Sequence, residues 1–361
     1  MLPKRESAAT YFPAERRPCY SRRVITRGTG SLLRCGWAAL LIFALASPAF
    51  AAPRRQTTDA NARRFGARAA IVPQPLQFQS LALERSAQNH LLVRAIINGK
   101  PALLGVDTGA PISAIAINRV QHFGLAAVGE NSEIPRRLQI NGAYNSVAIA
   151  RTLQLGALTL IDEPLVAIDL GSSSKAAKLM REQAIDGILG ADVLFPTDAV
   201  LDCQAQTLTM KIDPHARGPM PGMNYRGFSS VPIHVSPGYN LYVDGTFNGR
   251  RAKLMVDTGA FATLLHHRFV RRMKIPMRDS PFRSAGVNLK QRGVQLATIS
   301  SFSVGSVNMK SKEVGVINLE GLVRSPLLNA STPVAGLLGS EILRRHNGII
   351  DFGTRTLYLK H

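Results

Sequence analysis

Apolar positions in this chain come in short runs, each bounded by Gly, Pro or Asn. Residues 90–98 and 240–248 predict strands that end at Asn98-Gly99 and Asn248-Gly249, a dipeptide that favours two-residue hairpin turns. Residues 101–106 and 251–256 predict the returning strands. Residues 138–149 hold a third Asn-Gly, Asn141-Gly142, and residues 284–298 take the same place further along. Both precede a strand that leads to Leu155-Gly156 and Val304-Gly305. Helical signals are few: helical turns are expected over 112–123 and 262–273, short helices over 191–195 and 340–345, and a loop with a small helix over 171–184. Short strands with frequent turns predict an all-β chain with short helices and barrel-like closure.

The pattern occurs twice. At an offset of 150, Phe78 meets Phe228, Leu91 meets Leu241, Val93 meets Val243 and Asn98-Gly99 meets Asn248-Gly249. The offset then drops to 149. Gly187-Ile188-Leu189-Gly190 meets Gly336-Leu337-Leu338-Gly339, and Leu201-Asp202 meets Ile350-Asp351. The organisation expected is a domain over 76–213, a Pro- and Gly-rich linker over 214–227 and a second domain over 228–361. Each domain has about 135 residues, enough for one core.

Residues 1–51 belong to neither copy. Eight Lys/Arg in a polar stretch precede the apolar run 36–47, and Ala49-Phe50-Ala51 fits a small-x-small cleavage site. That order predicts a secretory signal segment and a periplasmic or secreted location, with an uncleaved membrane anchor as the alternative. The run is shorter than the ~20 residues of a comfortable span. Residues 52–75 predict a flexible lead-in. Of the formal charge of +21, the leader holds +6, so the rest stays strongly basic. An anionic envelope surface is the partner this charge suggests. Nucleic acid is not expected, because the cations look scattered and no recognition motif accompanies them. Cys203 is the sole cysteine beyond the leader and reads as a buried small hydrophobe.

Candidate chemistry centres on Asp-Thr-Gly-Ala at 107–110 and again at 257–260. Two carboxylates brought together share a proton, because like charges this close resist joint ionisation. One carboxyl can then take a proton from water while the other donates to a carbonyl oxygen. Gly109 and Gly259 permit a tight turn whose backbone N–H groups point at a carboxylate. Thr108 and Thr258 offer hydroxyls that can bond across to the other copy. Ala110 and Ala260 add no competing hydrogen bond. Asp186 and Asp192 flank the first Gly-Ile-Leu-Gly and read as solvated or locally paired carboxylates. Asp202 and Asp351 read as turn or ion-pair residues. His266-His267 is the one adjacent His pair, and with no third ligand evident no metal site is expected.

Leu-Gly-Val-Asp-Thr-Gly-Ala-Pro and Leu-Met-Val-Asp-Thr-Gly-Ala-Phe resemble the active-site loops of aspartic peptidases. Ala after Gly is similar to the retroviral, retropepsin-like branch. The Gly-Ile-Leu-Gly and Gly-Leu-Leu-Gly stretches resemble the apolar-apolar-Gly signature of the same family. The resemblance covers essentially all of 76–361. It implies two tandem retropepsin-like β-barrel domains related by a pseudo-twofold, with Asp107 and Asp257 as catalytic dyad. It implies an aspartic endopeptidase acting on a peptide or protein substrate, without cofactor or metal, and an optimum less acidic than pepsin's. Flaps would be the hairpins around Asn141, Gly142 and Tyr144 and around Gly286, with Tyr144 as flap aromatic. Retroviral relatives are homodimers, so fusion of two copies implies a monomer with intramolecular pairing. Pairing across chains is one alternative. A catalytically silent module that binds peptides or envelope partners is another.

Overall fold

The computed structural model describes residues 76–140, 143–170, 184–216, 220–236, 239–286, 289–309, 311–320 and 332–361, with backbone alone over 282–286 and 289–292. The leader 1–51, the lead-in 52–75, Asn141, Gly142 and most of the 171–184 loop lie outside the described residues. Gln77–His361 forms one compact unit.

Each half is built on a hairpin whose turn the sequence dictates. Leu91–Ile97 returns as Lys100–Val106, with Ile97 opposite Lys100. Leu241–Phe247 returns as Arg250–Val256, with Phe247 opposite Arg250. Both turn residues have positive φ, 49° and 81° at Asn98-Gly99 and 45° and 80° at Asn248-Gly249. That pair of angles is what a two-residue turn of this handedness needs, and Asn-Gly tolerates it best. Along the first strand Ala95 and Ile97 point inward while Arg94 and Ile96 point out, the two-residue period of a strand with one face on a core.

In the first half six strands close into a ring. Lys100–Val106 pairs with Gly187–Leu189, which pairs with Ala114–Ala116, then Leu158–Ile168, then Ala143–Leu155. Ala143–Leu155 returns to the first strand through Ile96↔Gln154 and Ile97↔Leu153. In the second half the order is Leu241–Phe247, Arg250–Val256, Val334–Leu338, Leu264–His266, Lys312–Ile317 and Leu289–Ile299. There the last strand stops at Ile299, and a separate strand, Phe302–Val304, completes the return through Phe247↔Phe302. The second core is the more aromatic. Phe247 stacks on Phe302 at 4.7 Å and meets Phe269 edge-on at 5.5 Å, where the first core has Ile97 and Leu153 in place of Phe247 and Phe302.

A six-stranded sheet joins the halves, with three strands from each in the order Phe78–Ala82, Thr207–Lys211, Val200–Asp202, Ile349–Asp351, Thr356–Leu359 and Ser229–Pro232. The junction register is Val200↔Asp351, Leu201↔Ile350 and Asp202↔Ile349. Leu201 and Ile350 are themselves equivalent in the repeat, so a pseudo-twofold axis passes between them. Flanking bonds obey it: Cys203 N–H donates to Gly348 O and Phe352 N–H to Ala199 O, each at 2.9 Å. Cys203 is buried, and burial pushes its thiol up to about 12. Asp202 accepts from the Gln204 and Ala205 N–H groups, and Asp351 from Thr354 N–H, so both hold turns. The 214–227 connection is anchored at its end, where Tyr225 stacks on Tyr358 at 3.9 Å and donates to Asp351.

Two expectations on local structure change. The helical turns start later than 112 and 262, because Ala114–Ala116 and Leu264–His266 are ring strands, paired on both edges. Within 112–123 the helical part is Ile117–Arg119 with Val120–Phe123, and within 262–273 it is His267–Arg272. His266 therefore ends a strand while His267 opens the helix, and the two rings pack edge to face at 4.7 Å. His266 Nδ1 accepts from Leu319 N–H, and burial, then the neighbouring His267, brings its pKa down to about 4.

Candidate active site

Each Asp stands at the end of a central ring strand, beyond Val106 or Val256, and its position is fixed from the apolar-apolar-Gly strand next to it. Asp107 N–H donates to Leu189 O at 3.0 Å, and Asp257 N–H to Leu338 O at 3.1 Å. Gly187 and Gly336 are obligatory there. A β-carbon would run into the carbonyl oxygens of Ala114 and Leu264 respectively, which are backbone atoms that cannot rotate away.

The two loops meet across the pseudo-twofold. Thr108 N–H donates to Thr258 Oγ1 at 3.0 Å, and Thr258 N–H to Thr108 Oγ1 at 3.1 Å. Each hydroxyl in turn donates to a carbonyl of the opposite half, Thr108 to Val256 at 2.9 Å and Thr258 to Val106 at 2.7 Å. Both threonines are buried, so four cross-lobe hydrogen bonds satisfy groups that no water can reach. This closed set brings the carboxyls together. Gly109 faces the other half's Asp257 so closely that a β-carbon would lie 2.6 Å from its Cγ, and Gly259 faces Asp107 with a corresponding 2.5 Å.

Gly109 N–H donates to Asp107 Oδ1 at 2.8 Å, and Ala260 N–H to Asp257 Oδ1 at 2.9 Å. Both carboxyls are partly exposed, yet packed closely enough that burial pushes each pKa above the ordinary carboxylate value. Asp257 rises further because the negative charge of Asp107 lies beside it. Asp107 is eased down by the Gly109 N–H, then by the hydrogen bond from Asp257 and by the charge of His90. Two raised carboxyls this close titrate as a pair, so between its two steps the pair holds one proton. A pair in that state can take one proton from a bound water and give one to a polarised carbonyl.

Behind the loops lie residues whose role the sequence did not disclose. Ser113 N–H and Oγ–H both donate to Asp192 Oδ1, at 3.0 and 2.7 Å, and Ser113 Oγ accepts from Gly190 N–H. In the other half Thr263 N–H donates to Glu341 Oε1 at 2.9 Å, Gly339 N–H donates to Thr263 Oγ1, and Lys312 pairs with Glu341 at 2.5 Å. Ser340 Oγ adds contacts to the carbonyls of Thr258 and Ala260. The signal available was a hydroxyl recurring six residues after each Asp and an acid recurring two residues after each apolar-apolar-Gly. Asp186 is locally paired, with Arg119 at 2.6 Å and Leu103 N–H at 2.9 Å.

The expected hairpins are present. Arg137–Ile140 pairs with Ala143–Leu155 through Ile140↔Ala143, and Met277–Gly286 with Leu289–Ile299 through Gly286↔Leu289. Tyr144 sits next to the first tip and is 65% exposed, while Gly286 ends its strand at the second. The Thr, Gly and Ala residues thus gather around the carboxyl pair, and Tyr144 and Gly286 stand at hairpin tips. Among the described residues, no group of three or more His, Cys, Asp or Glu is arranged to hold a metal ion.

The family model described as aspartyl protease matches residues 93–193 and again 243–342. The crystal structure of an aspartic proteinase from Irpex lacteus is similar, with 14% sequence identity and a TM-score of 0.44 over 78% of this chain and 97% of that one. No curated protein matches the chain.

Proposed function

This chain belongs to the aspartyl protease family, and from that premise we propose that it is an endopeptidase, hydrolysing peptide bonds through a water activated by Asp107 and Asp257. The observation that carries the reading is the reciprocal contact of the loops, in which each glycine touches the opposite carboxyl and each threonine bonds to the opposite half. In the reaction Asp107 takes a proton from the water as its oxygen attacks the scissile carbonyl. Asp257 donates to the carbonyl oxygen, giving a neutral tetrahedral diol. Its collapse expels the amine, which leaves with the proton held by Asp107, while Asp257 recovers its own. Backbone N–H groups of Gly109 and Ala260 keep the two oxygens aimed throughout.

An extended substrate would lie across the pair, covered by the hairpins that carry Tyr144 and Gly286, and gain affinity by strand addition along their edges. The leader read at 1–51 would deliver the enzyme to the periplasm or the exterior. The test is cleavage of an unfolded protein mixture over roughly pH 3–7, where a coupled carboxyl pair changes state. Asp107→Asn and Asp257→Asn should each lower the rate about a thousandfold or more, as residues acting as one unit do. An unmodified chain that binds linear peptides without cutting them would sink the proposal in favour of a binding module.

A further inference from the structure

The positive charge of this protein is not scattered between the halves. Residues 76–213 hold eleven Lys/Arg against thirteen Asp/Glu, whereas residues 228–361 hold eighteen against seven. Part of that excess gathers on one small surface. The helix His267–Arg272 buries Phe269 and Val270 and exposes Arg268, Arg271 and Arg272, which at i, i+3 and i+4 share a face. Lys274, also exposed, follows in the turn. Arg268 pairs with Glu320 at 2.6 Å, and among the described residues no carboxylate pairs with Arg271, Arg272 or Lys274.

The first half serves as an internal control for what the fold requires. Its equivalent helix offers Asn118, Gln121 and His122 where the second has Arg268, Arg271 and Arg272, and it turns at Gly124 where the second has Lys274. A corresponding helical stretch, Ile117–Arg119 continued by Val120–Phe123, is thus built without cations at those positions, its one arginine, Arg119, being paired with Asp186. Gly124 has φ 60°, a left-handed conformation that glycine adopts freely. Lys274 holds φ 55° at the same point, which a β-carbon disfavours. The second half therefore retains a lysine at a position where its own sister shows that glycine suffices. Crowding adds a further cost, because burial first and then the charges of Arg271 and Arg268 oppose protonation of the adjoining His267.

We propose that the Arg268, Arg271, Arg272 and Lys274 face docks the protein on an anionic lipid bilayer surface. Long cationic arms on an exposed helix face read charge density rather than the shape of one ligand, as a lipid surface requires. A chain expected to carry an export leader meets such a surface. The absence of these cations from the first half would make the docking one-sided. This inference is independent of whether the carboxyl pair hydrolyses peptides.

Sedimentation of the purified chain with phosphatidylcholine vesicles, with and without phosphatidylglycerol, tests it. A variant combining Arg268→Asn, Arg271→Gln, Arg272→Gln and Lys274→Gly largely copies the first half's own solution and should stay folded. Its affinity for the anionic vesicles should fall about a thousandfold at low salt, each of the four cations contributing roughly fivefold near such a surface. A control variant removes the same charge elsewhere on the half, with Arg250, Arg251, Arg345 and Arg355 all changed to Gln, and should lose only a few-fold through long-range attraction. Equal losses in the two variants would overturn the proposal, since net charge alone would then explain binding. So would a wild-type chain that ignores anionic vesicles yet binds polyglutamate, which would assign the face to an acidic protein partner.

Discussion

In the first half Ala143–Leu155 and Leu158–Ile168 are each one continuous strand, in a single register that passes over Arg151 and Asp162, whose φ is 52°. At the equivalent places, Ser300 and Ser311, the second half leaves the ladder and re-enters it as separate short strands. The contacts between halves diverge in a similar way. Asn89 accepts a hydrogen bond from Arg344 at 2.8 Å, and at the pseudo-symmetric positions Tyr239 stacks on Phe195 at 5.3 Å. Both Asn89 and Tyr239 hold a left-handed backbone, φ 65° and 63°, so the chain path is preserved while the chemistry is exchanged. Within the carboxyl loops themselves no residue is exchanged: Asp, Thr, Gly and Ala are the same in both copies. A polar surface contact and an aromatic one can hold two lobes equally well, but a shared proton needs two matched loops.

The sharpest challenge to this equivalence is Gly187→Ala against Gly336→Ala. Each places a methyl group against a backbone carbonyl that cannot move, and each should cost about 3 kcal/mol or more, read as lost denaturant resistance. A tolerated Gly187→Ala would show that the first loop is not packed as the second is. Next come Thr108→Ala and Thr258→Ala. Each leaves a buried N–H and a buried carbonyl without partners, so about 2–3 kcal/mol should be lost in either case. Serine at either position should recover most of it.

A smaller effect of the two carboxyls should depend on pH. Asp257 is favoured in its protonated form when folded, so its contribution to stability is present below its ordinary value of 3.8 and is lost as pH rises through its raised value. Asp257→Asn cannot ionise. Its melting temperature should exceed that of the unmodified chain near neutrality and converge with it in acid. Asp107→Asn should show the same sign, since burial raises that carboxyl too. The smallest effect concerns the lobe contacts, where Tyr239→Asn, which keeps a residue suited to the left-handed backbone, should cost about 1 kcal/mol and Arg344→Ala no more than about 0.5 kcal/mol, since the Asn89–Arg344 bond is exposed. Thermal unfolding of the two variants would rank them.

Much of this was legible in the sequence because it is local. Asn-Gly fixed two turns by their need for positive φ, and the repeated Asp-Thr-Gly-Ala marked the ends of two strands. The apolar-apolar-Gly segments were recognisable, but their physical purpose, a glycine packed under a carbonyl, needed the partner strand. The six-stranded sheet was not legible, because Leu201 and Ile350 look like any strand residues and their pairing depends on residues 149 positions apart. The Ser113–Asp192 bonds were hidden for the same reason. Helix starts were misplaced where apolar residues served as ring strands, since short apolar runs fit either period.

The Leu201–Ile350 junction has a consequence for how such a chain behaves on dilution. A half made separately would expose Val200–Asp202 as a bare sheet edge, complementary to the edge of an identical half, and would associate by mass action. Covalent linkage replaces that encounter with a millimolar-scale effective concentration set by the connection alone. Hydrolytic rate per chain should then stay constant as the protein is diluted, whereas for severed halves, once dilution dissociates them, the rate per chain should fall in proportion to their concentration.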